Sequence, residues 1–146
     1  MLGALARWLR VLDLDVAFDP ALDDPALVAL AVAEGRTILT RDRRLVLRRL
    51  ARNHLLIRSD DVDEQVRQVL GELRVPLDPA RFFSRCLRCN RPLAPLAAEA
   101  ARAHVPPYVA RTEDKFRHCL GCGRIYWPST HVRRMRERLR RMGVPA

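Results

Sequence analysis

Two pairs of cysteines carry the clearest chemistry in this chain. Cys86 and Cys89 flank Leu-Arg, and Cys119 and Cys122 flank Leu-Gly. Each pair is a C-x-x-C step, and two such steps can bring four thiolates to one tetrahedral zinc ion. Two residues between ligands allow a tight knuckle that aims both sulfurs at one point and leaves backbone N–H groups to donate to sulfur. Asn90 and Gly123 each follow the second cysteine of a pair, where such a turn calls for a positive φ angle. The 29 residues between the pairs fit a ribbon with an inserted loop or helix at 95–103. Four thiolates leave no open coordination position, so the pattern points to structural zinc, with metal binding and folding of the segment coupled. A single C-x-x-C could be a redox pair, but its duplication favours a ribbon. His118 and His131 could substitute as ligands, yet they read more simply as ordinary polar or partly buried residues.

A second chemistry resides in carboxylates next to strand-like segments. Asp42 follows "TILT", Asp60 and Asp61 follow "HLLIRS", and Asp23 and Asp24 open the segment leading to "TILT". In an open parallel sheet, function gathers at the carboxyl edge of the strands. Carboxylates converging there would hold Mg²⁺ or Mn²⁺, which prefer hard oxygen donors. Two such ions about 3.5–4 Å apart activate water and stabilise the leaving oxygen of a phosphodiester. Each acid also has a structural reading. Asp24 before Pro25 suits a helix N-cap, Asp42 suits a first helical turn, and Asp60 or Asp61 can cap the helix that follows.

The elements that must position these groups follow from periodicity. Residues 2–12 have helical spacing, and "DVAF" at 15–18 is a strand candidate. The spacing predicts a helix over 24–34 ended by Gly35, with Pro25 at its start. Residues 37–40 and 54–59 read as buried strands. Residues 41–53 read as a helix with Leu45, Val46, Leu50 and Ala51 inward. Residues 62–73 read as another, with Val62, Val66, Val69, Leu70 and Leu73 inward. This alternation argues an α/β unit with a mostly parallel sheet covered by helices. A proline-bearing connection at 74–85 then leads to the cysteines and to a basic helix over 130–143. The division expected is 1–78 and 79–146.

Arg and Lys together number 27 against 17 Asp and Glu, a net charge of +10, and Lys115 is the single lysine. Arginine presents a planar fork of donors matching phosphate oxygens, so the balance suggests a polyanionic partner, nucleic acid first. GC-rich coding would also raise arginine content without such a partner. Arg41, Arg43 and Arg44 beside the acids, and Arg133 and Arg134 on the basic helix, are the candidate RNA contacts. No apolar run reaches the ~18 residues of a membrane span. The absence of a secretory signal and the close pairing of the cysteines lead us to expect a cytoplasmic protein.

Several segments in this order carry a resemblance: "ARWLRVLDLDVAFDPALDDPALVALAVAEGRTILTRDRRL", "LLIRSDD", "FSRCLRCNRPL", "VPPYV" and "CGRIYWPSTHVRRM". They resemble the C-terminal RNase domain named after the Mut-seven exonuclease, a PIN-like nuclease family with a terminal zinc ribbon. The resemblance implies a PIN-like α/β/α sandwich, a zinc ribbon holding Cys86, Cys89, Cys119 and Cys122, and RNA cleavage dependent on Mg²⁺ or Mn²⁺. It maps metal-binding acids onto Asp42, onto Asp24 with Asp23 beside it, and onto Asp60 or Asp61. Family members resemble "FLVDEMLGRLARWLR" at their start, whereas this sequence begins "MLGALARWLR". The resemblance therefore implies an absent first strand and metal-binding aspartate, with poor folding, strand borrowing or a sheet reorganised by homodimer formation as the expected consequence. A non-catalytic RNA- or ribosome-binding protein is the alternative, and a toxin-like protein-interaction subunit a more distant one.

Overall fold

The computed structural model describes residues 2–146. The chain is mixed α/β. Its elements run α1 (Gly3–Val11), α2 (Asp24–Glu34), β1 (Ile38–Thr40), β2 (His54–Leu56), α3 (Val62–Glu72), β3 (Ala94–Leu96), α4 (Ala98–Arg102), α5 (Pro107–Thr112), β4 (Phe116–His118), β5 (Ile125–Tyr126) and α6 (Thr130–Arg141). They form two compact units. One comprises the start of the chain through Leu5 together with Ala17–Pro76, and the other comprises Ala6–Val16 with Leu77–Ala146.

In the first unit, α2 begins where Asp23 accepts a hydrogen bond from Ala26 N at 2.9 Å, with Pro25 in the first turn. It ends at Gly35 in the left-handed region, φ 64°, which glycine adopts without a Cβ penalty. β1 and β2 pair in parallel, with Ile38, Leu39 and Thr40 opposite His54, Leu55 and Leu56. Val28 and Ala31 of α2 pack with Ile38, Leu45 and Ala51 to form the core over this pair. α3 starts on its own cap, Asp61 accepting from Glu64 N at 3.0 Å, and buries Gln65, Val66 and Val69. Its glutamines also hold the end of β2: Gln68 Nε2 donates to Leu56 O, and Gln65 Nε2 to Ser59 O, both at 2.8 Å. We expect Asp23→Ala to destabilise the first unit by about 1 kcal/mol, read as a lower urea midpoint.

Three expectations change here. The parallel pairing extends to two strands, and the larger sheet is antiparallel. Residues 15–18 enter no strand. Residues 41–53 hold a short 3-10 turn at Leu45–Leu47 rather than a helix. There Asp42 Oδ1 accepts from Arg44 N at 2.8 Å and Leu45 N at 3.4 Å. That side chain competes with helical pairing for the first N–H groups. Leu45 and Ala51 are buried as expected, but Leu50 is 62% exposed. Leu73, at the end of the predicted helix 62–73, is 39% exposed rather than inward.

In the second unit, β3, β4 and β5 form an antiparallel sheet in that order, with Ala94 opposite His118 and His118 opposite Ile125. The insertion expected at 95–103 resolves into the end of β3 and the short α4. α6 starts where Ser129 Oγ accepts from Val132 N and buries Leu139 completely.

Candidate functional site: a four-cysteine centre and an acidic sheet edge

The two cysteine pairs fold as near-copies of one knuckle. Asn90 N donates to Cys86 O at 2.9 Å, and Gly123 N to Cys119 O at 2.8 Å. Returning bonds run from Cys86 N to Arg91 O and from Cys119 N to Arg124 O. These turns require the left-handed region after the second cysteine. Asn90 (φ 66°) and Gly123 (φ 75°) supply it, as their places in the sequence predict. Within each knuckle a backbone N–H reaches sulfur, Cys89 N to Cys86 Sγ and Gly121 N to Cys119 Sγ, both at 3.3 Å.

All four Sγ atoms lie within 4.8 Å of one another. Cys86 and Cys122 Sγ stand 3.8 Å apart, and all four cysteines are free thiols. A tetrahedron with zinc–sulfur bonds of ~2.3 Å has edges of about 3.8 Å. The donor set and its spacing therefore fit a structural zinc ion.

Cys86 and Cys119 are fully buried, Cys89 is half-buried and Cys122 is exposed. Burial pushes the Cys86 thiol up, but hydrogen bonds from the Tyr126 hydroxyl and from the backbone N–H groups of Cys89 and Arg88 bring it down to about 7. The Tyr126 hydroxyl lies 3.2 Å from Cys86 Sγ and accepts from Leu87 N at 3.1 Å. Cys89 is pushed up to about 12 by hydrogen bonding to Cys122, by burial and by the neighbouring thiolate charge. A bound dication would favour the thiolate form and so oppose the rise at Cys89.

The acids occupy the first unit. Asp42 leaves β1 and Asp60 leaves β2, so parallel register sends both out at the carboxyl edge. Arg41 and Asp60 form an ion pair that ties the two exits together. α2 leads back into β1, so its N-terminus lies toward the same edge, and Arg48 there approaches Asp24 at 3.9 Å. Asp23 and Asp61 turn their side chains onto the N-termini of α2 and α3. Among the described residues, the cysteines are the one group of three or more candidate ligands gathered at metal-binding distance.

The candidate RNA contacts divide by unit. Arg41 is partly covered and paired, and Arg43 and Arg44 are exposed. On α6, Arg133 and Arg134 are exposed, while Arg136 lies over the Phe83 ring at 4.8 Å and Arg138 over the Trp8 ring at 5.1 Å. His118 and His131 stand outside the sulfur cluster. Sequence reasoning missed Tyr126 and Arg10, both of which touch the first knuckle. An arginine on the apolar side of α1 was the available signal for Arg10.

No described helix is long and apolar enough to cross a membrane. No curated protein matches the chain, and no solved structure does. Among protein-family models, the Mut7-C RNase domain matches residues 1–139. That match spans the acidic edge, both cysteine knuckles and most of α6, and the chain accordingly belongs to the Mut7-C RNase domain family.

Proposed function

We propose that the chain hydrolyses RNA phosphodiester bonds at the carboxyl edge of the β1–β2 pair, using Mg²⁺ or Mn²⁺ held by carboxylates. Family membership implies a ribonuclease and an RNA substrate. The observation that carries the reading further is the Arg41–Asp60 pair, which joins the exits of two adjacent parallel strands beside Asp42. In this reading Asp42, Asp24 and Asp60 are the ligands. Asp23 and Asp61 serve as helix caps, because their side chains already accept the first N–H groups of α2 and α3. The carboxylates offer the hard oxygens such ions prefer, and the ion would supply a polarised water and charge for the leaving oxygen. Arg41, Arg43 and Arg44 would hold phosphates beside the cut, and Arg133 and Arg134 are further candidate phosphate contacts. β1, β2, α2 and α3 would be the nuclease part, read as PIN-like, and the four cysteines would hold one zinc in the ribbon. Free thiols suit a reducing compartment, and the cytoplasm is the proposed location.

The test is to incubate the full chain with labelled single-stranded RNA and Mn²⁺. Cleavage that stops on adding a chelator is expected. A second reading, RNA binding without cleavage, is favoured by the partners that these acids already hold. It gives intact RNA and an affinity that falls steeply with salt, with Arg133→Ala lowering the log–log salt slope by about 0.7. RNA that is neither cut nor bound would overturn both readings.

A further inference from the structure

Residues 6–16 belong, by packing, to the unit that carries the cysteines. The link is Arg10, which is 5% exposed and is the one charged side chain among the buried described residues. A buried guanidinium must find acceptors for its donors or pay heavily for desolvation. Arg10 finds them in three carbonyls. Nε and Nη2 donate to Val16 O at 3.0 and 2.8 Å, and Nη1 donates to Leu87 O at 2.8 Å and to Arg88 O at 3.3 Å.

Leu87 and Arg88 are the two residues between Cys86 and Cys89. In a trans peptide the C=O and N–H point opposite ways. The unit whose C=O is Arg88's carries the Cys89 N–H, which donates to Cys86 Sγ. The unit whose C=O is Leu87's carries the Arg88 N–H, which also acts on the Cys86 thiol. Arg10 therefore holds, from behind, both peptide units that face the Cys86 sulfur. It also brings a fixed positive charge close to a centre that would carry a net charge of about −2 with zinc and four thiolates bound. The seam continues past the knuckle: Asn90 Oδ1 accepts from Val16 N at 2.9 Å, and Asn90 Nδ2 donates to Asp15 at 2.6 Å.

We propose that Arg10 is a positioning residue of the metal centre, so that metal loading at the four cysteines and the seating of residues 6–16 are one coupled event. The proposal rests on the reading that the cysteines hold a metal ion. A metal-free knuckle loses the geometry that its Leu87 and Arg88 carbonyls offer Arg10, and the segment loses its buried anchor. Conversely, removing the guanidinium leaves the two peptide units free to turn from sulfur.

The test uses the full chain with zinc and, separately, with Co²⁺ as a spectroscopic stand-in. Chelator competition should show Arg10→Gln binding zinc about 10–100-fold more weakly than the unaltered chain, the range found when groups behind metal ligands are removed. Hydrogen exchange of the unaltered chain should show amides in 6–16 exchanging at least tenfold faster once the metal is withdrawn, while α2 and α3 keep their rates. Equal zinc affinity in Arg10→Gln overturns the proposal, as does exchange in 6–16 that ignores the metal. If Arg10→Gln does not fold, the exchange comparison on the unaltered chain decides alone. An unaltered chain that takes up neither zinc nor Co²⁺ overturns the metal reading and the proposal with it, and shows itself in the first measurement.

Discussion

Withdrawing zinc is expected to unfold the three-stranded sheet and both knuckles, while α2, β1, β2 and α3 stay folded. The sheet has strands of three, three and two residues, far below what orders itself in water. Two of the buried side chains around it, Cys86 and Cys119, are themselves proposed ligands. Zinc-finger peptides gain roughly 10–16 kcal/mol of apparent binding energy from such a site, enough to turn an unfolded segment into a folded one. Purified chain should contain one zinc per molecule by atomic emission. Chelation should erase the amide signals of 86–126 from an NMR spectrum, leaving those of the first unit in place. Substitutions should grade by burial. Cys86→Ser removes a fully buried sulfur held by Tyr126 and the Cys89 N–H, and should abolish stoichiometric binding. Cys122→Ser lies at the exposed rim and should weaken binding less. Equal effects at the two positions, or a metal-free chain with an unchanged spectrum, would contradict this account.

The cysteine knuckles were legible in the sequence because their logic is local. Four residues set each turn, and the demand for a positive φ fell on Asn90 and Gly123 by position alone. α2 was legible for the same reason, with Pro25 and Gly35 marking its ends, although the cap is Asp23 rather than the expected Asp24. Residues 41–53 were misread because arginine and leucine are good helix formers, whereas one side chain, Asp42, diverts the first N–H groups into a tight turn. The attachment of residues 6–16 was illegible for the opposite reason. It rests on partners far along the chain, such as Arg10 with Leu87, and on Asp13 with Arg81 at 2.9 Å, pairings that no periodicity announces. The acidic edge falls between these cases. Spacing placed the acids after the strands, but only the geometry separates Asp60, paired with Arg41, from Asp61, which caps α3.

Asp42→Asn is expected to lower Mn²⁺-dependent RNA cleavage by at least about 100-fold while leaving the fold intact. The two halves of that expectation come from different atoms. Structurally, Asp42 acts through Oδ1, which accepts from Arg44 N and Leu45 N, and through its own N–H, which donates to the Oγ1 of the buried Thr40 at 3.0 Å. An asparagine keeps that oxygen as an acceptor and keeps the N–H, so the turn after β1 survives and the unfolding midpoint should barely move. Chemically, the substitution removes a full negative charge from the proposed ion site. A bound divalent ion contributes several kcal/mol of transition-state stabilisation, and each ~1.4 kcal/mol is tenfold in rate. RNA affinity measured without divalent ions should hold or rise slightly, because Arg41, Arg43 and Arg44 remain and a repelling carboxylate is gone. Asp61→Asn is the control. It keeps the α3 cap through the same oxygen and touches no proposed ligand, so its cleavage rate should match the unaltered chain. Full activity in Asp42→Asn, or a loss in Asp61→Asn as large as that in Asp42→Asn, would move the chemistry away from the β1 exit and refute the assignment of Asp42 as a ligand.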